Sequence, residues 1–234
     1  MAEFEYIGNE LELFAKAEIW KAYFRSHLQQ YVKGDVLEVG AGLGGTTTVF
    51  ANGSWESWSC LEPDQQLLDQ LKSKITGDRY RFVHGTLNEL GGTQLFDVIL
   101  YIDVLEHIER DADEVAHAAK HLKPGGKLII LSPAYQYLFS PFDAKIGHYR
   151  RYTRSMLKAL TPPGCSVYRA FYLDSVGALA SLANKLFLKA SMPTAKQISF
   201  WNRVLVRCSK LADPLLFYSV GRSVIVVWQK GNSK

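Results

Sequence analysis

The chain has 234 residues, a formal net charge of +4, 47% hydrophobic residues and 21% charged residues. This length and composition fit a single globular domain with a sizeable core, which we expect to cover residues 1–234. The mild charge argues against a strongly basic nucleic-acid binder, and we expect no nucleic-acid partner. No uncharged apolar run reaches the roughly 18 residues that a membrane-spanning helix needs.

The cysteines and the N-terminus indicate the compartment. Cys60, Cys165 and Cys208 have no metal-ligand spacing, and three cysteines cannot all pair within one chain. The first residues lack the basic start and the apolar stretch of a signal peptide. We therefore expect a cytoplasmic protein without a metal site.

Hydrophobic periodicity and glycine or proline breaks divide the chain into helices and strands. In chain order the predicted elements are helix 9–32, strand 36–39, helix 46–52, strand 57–61, helix 64–76, strand 80–84, strand 96–102, helix 111–122, strand 127–131, strand 166–173, a helical stretch 175–212 and strand 222–230. Their alternation predicts an α/β fold with a Rossmann-like, mostly parallel sheet of seven strands and helices on both faces. No helix follows the last strand, which is expected to add antiparallel at an edge of the sheet.

The segment 36–45 carries the strongest functional signal. A strand of buried type runs into a glycine cluster, where a ligand can approach the backbone, and a helix follows that points its N–H groups at the ligand. The glycines fit both the dinucleotide pattern G-x-G-x-x-G and the pattern E-x-G-x-G-x-G of methyltransferases that use S-adenosylmethionine (SAM). The first pattern uses Gly40, Gly42 and Gly45, and the second uses Glu38, Gly40, Gly42 and Gly44. The Glu38 carboxylate suits a methionine ammonium and would repel a pyrophosphate, which favours SAM.

Further segments resemble the class I SAM-dependent methyltransferases, over about residues 14–230. Glu62, at the tip of the second predicted strand, matches the family's ribose-binding acid. Residues 96–108 resemble the fourth-strand motif that ends in L-E-H-I, and residues 122–126 resemble the turn before strand five. The resemblance implies SAM as cofactor, S-adenosylhomocysteine as product, an antiparallel last strand and a helical insertion between the last two strands.

The resemblance also implies where the cofactor lies. Glu38 and the glycine backbone would face the methionine half, Glu62 the ribose, and Thr86 with Leu87 the adenine, where family members often carry an acid. Tyr101 and Asp103 would sit beside the transferring methyl and are candidate catalytic residues. The complete predicted cofactor-binding set is Glu38, Gly40, Ala41, Gly42, Gly44, Glu62, Pro63, Thr86, Leu87, Tyr101, Ile102 and Asp103.

The acceptor is expected in the segment 134–152, which is long, rich in aromatic residues and typical of a functional loop. His148 is the leading candidate base because histidine titrates near neutral pH, and the alternative is that it caps or packs against the following helix. His107 is a weaker candidate. The predicted substrate-binding set is Tyr135, Tyr137, His148, Arg150 and Arg151. The two arginines suit an anionic acceptor, or they pair with nearby acids such as Asp143.

Two helical regions flank these motifs. Residues 1–33 are expected to form an N-terminal helical cap. Residues 175–212 are more apolar than a surface helix requires, and three roles remain open for them: a lid over the acceptor, a homodimer face, or a peripheral membrane contact.

The sequence therefore predicts a SAM-dependent methyltransferase that acts on oxygen or nitrogen of a small molecule, such as an anionic, glycan-linked or lipid-linked acceptor or a secondary metabolite. Residues 147–153 and 221–224 resemble a bacterial subgroup associated with cell-surface glycan and other biosynthetic pathways. The alternatives are an NAD(P)-dependent Rossmann reductase, which should carry a Tyr-x-x-x-Lys pair that is absent after Tyr135 and Tyr137, and a SAM-binding protein without catalysis.

Overall fold

A computed structural model of the chain describes residue 14 and residues 16–185 and 194–232. Residues 1–13 and 15 of the predicted cap, and residues 186–193 of the predicted insertion, lie outside this range.

Seven strands and nine α-helices cover the described residues. The strands are β1 (Gly34–Val39), β2 (Trp55–Glu62), β3 (Tyr80–His84), β4 (Phe96–Ile102), β5 (Leu122–Pro133), β6 (Cys165–Leu173) and β7 (Ser223–Lys230). The helices are α1 (Glu18–Leu28), α2 (Gly45–Phe50), α3 (Gln65–Lys74), α4 (Asp111–Lys120), α5 (Pro141–Lys145), α6 (Arg154–Ala159), α7 (Ser175–Ala183), α8 (Ala195–Phe200) and α9 (Val206–Leu215). A π-helical turn, Trp201–Leu205, joins α8 to α9.

All seven strands form one sheet in the order β3-β2-β1-β4-β5-β7-β6. The first five strands pair in parallel, and β7 pairs antiparallel with both β5 and β6. The predicted mostly parallel sheet with an antiparallel last strand is confirmed. The predicted edge position of the last strand is wrong, because β7 lies between β5 and β6. Its run Val224–Trp228 is wholly buried, as an interior strand requires, and β6 occupies the edge.

The predicted turn at 122–126 is the irregular start of β5. Leu122 pairs with Phe96 and Lys127 pairs with Val98, with a register shift between them. Helix α4 therefore ends at Lys120, two residues earlier than predicted. The extended β5 carries Pro133 to the same edge of the sheet as the glycine cluster.

The core has two layers because side chains alternate along each strand. On β4, Val98 and Leu100 pack on the layer that holds α1 and the π-helical turn, whereas Ile99 and Tyr101 pack on the layer that holds α4 and α6. This alternation decides which β4 residues can reach the functional site. Within the described ranges, no helix is long and apolar enough to cross a membrane.

Candidate active site

The glycine loop after β1 takes the shape that the sequence predicts. Gly40, Gly42 and Gly44 have φ values of 68°, 51° and 79°, which side-chain-bearing residues rarely adopt. A Cβ at Gly40 would lie 2.7 Å from a methyl of Val104, so the loop also passes close to the segment after β4. Helix α2 begins directly after the loop.

A cavity of about 670 Å³ opens beside this loop. It is lined by residues of α1, the glycine loop and the segments that follow β4 and β5, and by Trp201 and the start of β7. Of the predicted cofactor residues, those that line it are Gly40, Ala41, Gly42, Gly44, Ile102 and Asp103. The cavity therefore joins the predicted cofactor loop to the predicted acceptor segment.

Glu62 lies at the carboxyl end of β2 and is held by the glycine loop. Its carboxylate accepts hydrogen bonds from the Gly42 N–H at 2.7 Å and the Asp64 N–H at 3.0 Å. Burial raises the pKa of Glu62, and these two N–H donors oppose that rise. The carboxylate is thus fixed in place beside the loop, although it does not line the cavity itself.

Glu38 is placed differently from the prediction. Its carboxylate is buried between β1, α2 and β2, where it accepts hydrogen bonds from the Thr47 hydroxyl at 2.6 Å and the Trp58 indole N–H at 2.8 Å. Burial raises the pKa of Glu38 to about 7. The structure therefore does not bring this carboxylate to the cavity, because two neighbouring side chains hold it inside the core.

The Tyr101 side chain lies outside the cavity, and its predicted place beside the transferring methyl stays a prediction. Alternation along β4 turns the Tyr101 ring into the α4 layer, where its hydroxyl donates to Glu114 at 2.7 Å. Asp103 does face the cavity, and its φ of 54° turns the chain sharply after β4. Surrounding protein raises the pKa of its carboxyl to about 6, although the side chain is exposed to the cavity.

The predicted adenine side lies at the ends of β2 and β3. Leu87 is buried, and His84 forms a hydrogen bond with the Pro63 carbonyl oxygen at 2.9 Å. Thr86 donates through both its N–H and its hydroxyl to Glu89. The sequence has Thr86 where family members often carry an acid, but the Glu89 carboxylate lies next to Thr86 in the structure.

The acceptor segment is ordered by a buried carboxylate, Asp143, near the end of α5. Asp143 accepts from Arg151 through Nε at 2.7 Å and Nη2 at 2.9 Å, and its Oδ1 pairs with His148 Nδ1 at 2.9 Å. Ser140 donates to the same carboxylate. Burial would raise the pKa of Asp143, but the hydrogen bonds from His148 and Arg151 outweigh it and hold the pKa well below its usual range.

The other ring nitrogen of His148, Nε2, has no hydrogen-bond partner among the described residues and lies 3.9 Å from a carboxyl oxygen of Glu106. His148 lines the cavity and its side chain is only 7% exposed. The alternative prediction, a histidine that only caps or packs on the next helix, does not describe these contacts. Asp143 instead fixes the ring orientation, as a carboxylate does for a catalytic histidine.

Glu106 and His107 lie next to His148. Glu106 is fully buried, accepts from the Ser132 hydroxyl at 2.9 Å, and has one carboxyl oxygen 3.9 Å from His148 Nε2. Burial and the nearby Asp103 raise the pKa of Glu106 well above its usual range. Burial and the neighbouring His148 lower the pKa of His107 to about 4, which makes His107 a poor base at neutral pH.

The same three residues could hold a metal ion. Ligand atoms of Glu106, His107 and His148 all lie within 4.8 Å of one another. No metal site is predicted from the sequence, because the cysteines lack metal-ligand spacing and His148 lies 41 positions beyond His107; this cluster is the candidate to test.

The remaining predicted substrate residues lie away from the cavity. Arg150 pairs with Asp111 at 2.6 Å and donates to the Glu109 carbonyl oxygen. Tyr135 is stacked between Tyr137 and Tyr172, with ring centroids 5.1 Å apart in each pair. None of these three residues lines the cavity, and their predicted role in acceptor binding stays a prediction.

Four residues that sequence reasoning missed line the cavity. Lys21 and Arg25 lie on α1, and Trp201 and Arg222 line the cavity from the π-helical turn and from the residue before β7. The Arg222 guanidinium lies 4.7 Å from the centroid of the Trp201 ring. The clearest sequence signal was the pair of basic residues four apart on one face of α1.

Comparisons with known proteins show which families and structures this chain resembles. Residues 37–128 match a protein family described as methyltransferase domain. The chain is 27% identical over 107 residues to the ubiquinone biosynthesis O-methyltransferase of Rickettsia canadensis, which covers 45% of each chain. It therefore spans about half the length of the curated relatives that it matches.

Solved structures share the fold along nearly the whole chain. The [4+2]-cyclase SpnF aligns with a TM-score of 0.63 at 13% identity, covering 97% of this chain and 96% of its own. The Haemonchus contortus phosphoethanolamine N-methyltransferase 2, in complex with phosphomonomethylethanolamine and S-adenosylhomocysteine, aligns with a TM-score of 0.60 at 13% identity, covering 96% of this chain and 58% of its own. The matched methyltransferase domain spans the strands that build the glycine loop, and these neighbours share the fold of the whole sheet.

Proposed function

We propose that this chain transfers a methyl group from SAM to an oxygen atom of a small-molecule acceptor. The observation that carries the proposal is the single cavity that joins the glycine loop to a histidine oriented by a buried carboxylate. The curated relatives are named O-methyltransferases, which supports an oxygen acceptor. Fold alone is not sufficient support, because a fold neighbour is named a cyclase.

The residues beside the glycine loop fit SAM. Lys21 and Arg25 line the cavity there, and the Arg25 Nε is a buried donor without a hydrogen-bond partner among the described residues. Such cations suit the methionine carboxylate, and Asp103 suits the ammonium. Glu62, fixed at the tip of β2, suits the ribose hydroxyls. When bound, SAM supplies an electrophilic methyl group on a sulfonium, which a nucleophile displaces directly.

The protein's own contribution is alignment and proton transfer. His148 Nε2 takes the proton of the acceptor hydroxyl as that oxygen forms its bond to the methyl carbon, and the electrons of the broken carbon–sulfur bond remain on sulfur. Asp143 stays ionised, holds the Nδ1 side of the ring and stabilises the imidazolium that forms. Arg151 keeps Asp143 in place through two hydrogen bonds.

The reductase alternative has less support. The sheet order with an antiparallel β7 between β5 and β6 differs from the all-parallel dinucleotide-binding sheet. The SAM-binding alternative without catalysis leaves the buried Asp143 and His148 pair without a role.

For residues 175–212 we propose the lid role, with Trp201 as part of the wall of the acceptor cavity. On the outer side, Leu211 and Leu215 of α9 are 76% and 79% exposed, so a homodimer face or a membrane contact remains a prediction. Sedimentation velocity without lipid, and flotation with phosphatidylglycerol vesicles, distinguish these two contacts.

The test of the proposed base is His148→Ala, assayed with methyl-labelled SAM against a set of hydroxyl-bearing acceptors. We expect turnover to fall by about a hundredfold while SAM affinity changes by less than about twofold, because the base faces the acceptor. His117→Ala, on α4 outside the cavity, is the matched control. With an amine acceptor, which can lose its proton to water, the loss should be smaller and should shrink at high pH.

Two outcomes of this test would contradict the assignment. Full activity of His148→Ala at every pH would reduce His148 to a structural residue. A loss of wild-type activity with EDTA that a divalent metal restores would assign His148 to a metal site with Glu106 and His107 instead.

A further inference from the structure

Two arginines line the same cavity, and each is close enough for its charge to act on the other. Arg151 comes from the end of the acceptor segment, and Arg222 comes from the residue directly before β7. They are 71 positions apart in the chain, so only the fold brings them to one wall. Both contribute to the lining together with Ser223 and Trp201.

Arg151 has an unused donor. Its Nε and Nη2 are taken by Asp143, but its Nη1 is buried and has no hydrogen-bond partner among the described residues. A buried donor without a partner costs free energy and is uncommon in folded proteins. The Asp143 contact fixes the plane of the guanidinium, so the direction of this free N–H is also fixed.

Arg222 has still more unused donors. Its guanidinium contacts the ring of Trp201, and no carboxylate in the described part of the chain forms an ion pair with it. Asp174, whose charge acts on Arg222, already accepts hydrogen bonds from the Trp201 indole N–H at 2.7 Å and the Ser209 hydroxyl at 2.7 Å. Stacking on Trp201 leaves the N–H edge of the guanidinium available in the plane of the ring.

We infer that Arg151 and Arg222 bind a phosphate or carboxylate group of the methyl acceptor. This inference rests on the proposed function, and it adds the chemical class of the acceptor. An oxyanion would satisfy the free donors of both guanidinium groups and reduce the repulsion between two like charges at one wall. The sequence suggested an anionic acceptor from Arg150 and Arg151, and the structure replaces Arg150 with Arg222.

The other charges of the cavity are compatible with an anion here. Asp143 already pairs with Arg151 and His148, and the fully buried Glu106 accepts a hydrogen bond from the Ser132 hydroxyl. Asp103 faces the cavity, and its negative charge would be offset by the positive charges of the cofactor in the complex. Lys21 and Arg25 lie with the glycine loop and serve the cofactor side.

The experiment is a calorimetric titration of the protein saturated with S-adenosylhomocysteine, which fills the cofactor side. Inorganic phosphate and benzoate are the anionic probes, and benzamide is the uncharged control. We expect one or both anions to bind and benzamide not to bind. Tighter binding of phosphate would indicate a phosphate-bearing acceptor, and tighter binding of benzoate would indicate a carboxylate-bearing acceptor. Arg222→Gln should weaken anion binding at least tenfold, and Arg222→Lys should weaken it less.

Arg150→Gln is the matched control. It removes the same charge from a neighbouring arginine that pairs with Asp111 outside the cavity, and it should leave anion binding within twofold of the wild type. Circular dichroism and thermal unfolding confirm that each variant is folded.

Three results would overturn the inference. The first is wild-type protein that binds neither anion, and the second is equal weakening by Arg222→Gln and Arg150→Gln, which would indicate bulk charge. The third is displacement of the anion by S-adenosylhomocysteine, which would assign the arginines to the cofactor. If S-adenosylhomocysteine itself does not bind, the proposed function fails, and titration of the protein alone still decides whether the two arginines bind an anion.

Discussion

Glu38 offers the sharpest quantitative prediction because it is a buried carboxyl without a cationic partner. Its pKa is raised from an ordinary value of 4.5 to about 7 by burial, against the opposing hydrogen bonds from Thr47 and Trp58. Between these two pH values the folded protein holds a proton that the unfolded chain has released. Stability therefore falls as pH rises through this window.

The magnitude follows from the width of the window. The difference between 4.5 and about 7 is about 2.5 pH units. At about 1.4 kcal/mol per unit, the ionisation of Glu38 costs the folded state about 3 kcal/mol above pH 7. Glu38→Gln removes the ionisable group and keeps an oxygen that can accept from Thr47 and Trp58. The variant should therefore gain about 3 kcal/mol relative to wild type between pH 4.5 and pH 8.

Urea unfolding of both proteins across this pH range measures the effect. Glu56→Gln, at an exposed position of the same strand as Trp58, is the control and should show no such gain. Identical pH dependence in wild type and Glu38→Gln would refute the reasoning. SAM affinity provides a second readout: we expect less than about a twofold change, whereas a tenfold loss would place the Glu38 carboxylate at the methionine ammonium, as the sequence alone suggests.

Three further changes test other parts of the site. Glu62→Ala should weaken SAM binding at least tenfold without unfolding the protein, because two ribose hydroxyls lose an acceptor worth about 1.5–3 kcal/mol; unchanged affinity in calorimetry would place the ribose elsewhere. Asp143→Asn should destabilise the protein at pH 7 and progressively less as pH falls below 3.8, because the depressed pKa of Asp143 gives stability that is complete above its ordinary value of 3.8 and is lost as pH falls through the folded value; equal destabilisation at pH 7 and pH 2 in urea unfolding would contradict this. Trp201→Phe should cost about 1–3 kcal/mol in the same assay, because buried Asp174 loses the indole donor; no loss would mean that another donor replaces it.

The sequence was sufficient for most of the fold because the strands are apolar runs bounded by glycine, proline or polar residues. The position of β7 in the sheet was predicted wrongly, at the edge, because strand order depends on the packing of the whole chain and not on the local sequence pattern. The apolar run Val224–Trp228 does indicate an interior strand, because a strand at the edge of the sheet would leave part of this run exposed.

The site was predicted in part, and the failures have physical causes. The glycine loop and Asp103 reach the cavity because motif spacing fixes their places at strand ends, and His148 reaches it from the loop after α5. Tyr101 does not, because a shift of one residue along a strand turns a side chain to the other face. Arg222 could not be paired with Arg151 from sequence, since that contact depends on how β7 enters the sheet.

The central claim is that the glycine loop binds SAM, and calorimetric titration of SAM, S-adenosylhomocysteine and NADH into the unmodified protein tests it most directly. We predict that SAM and S-adenosylhomocysteine bind, that NADH has little affinity, and that Glu62→Ala weakens the binding of both adenosyl ligands. Tight NADH binding with no heat from SAM would contradict the account.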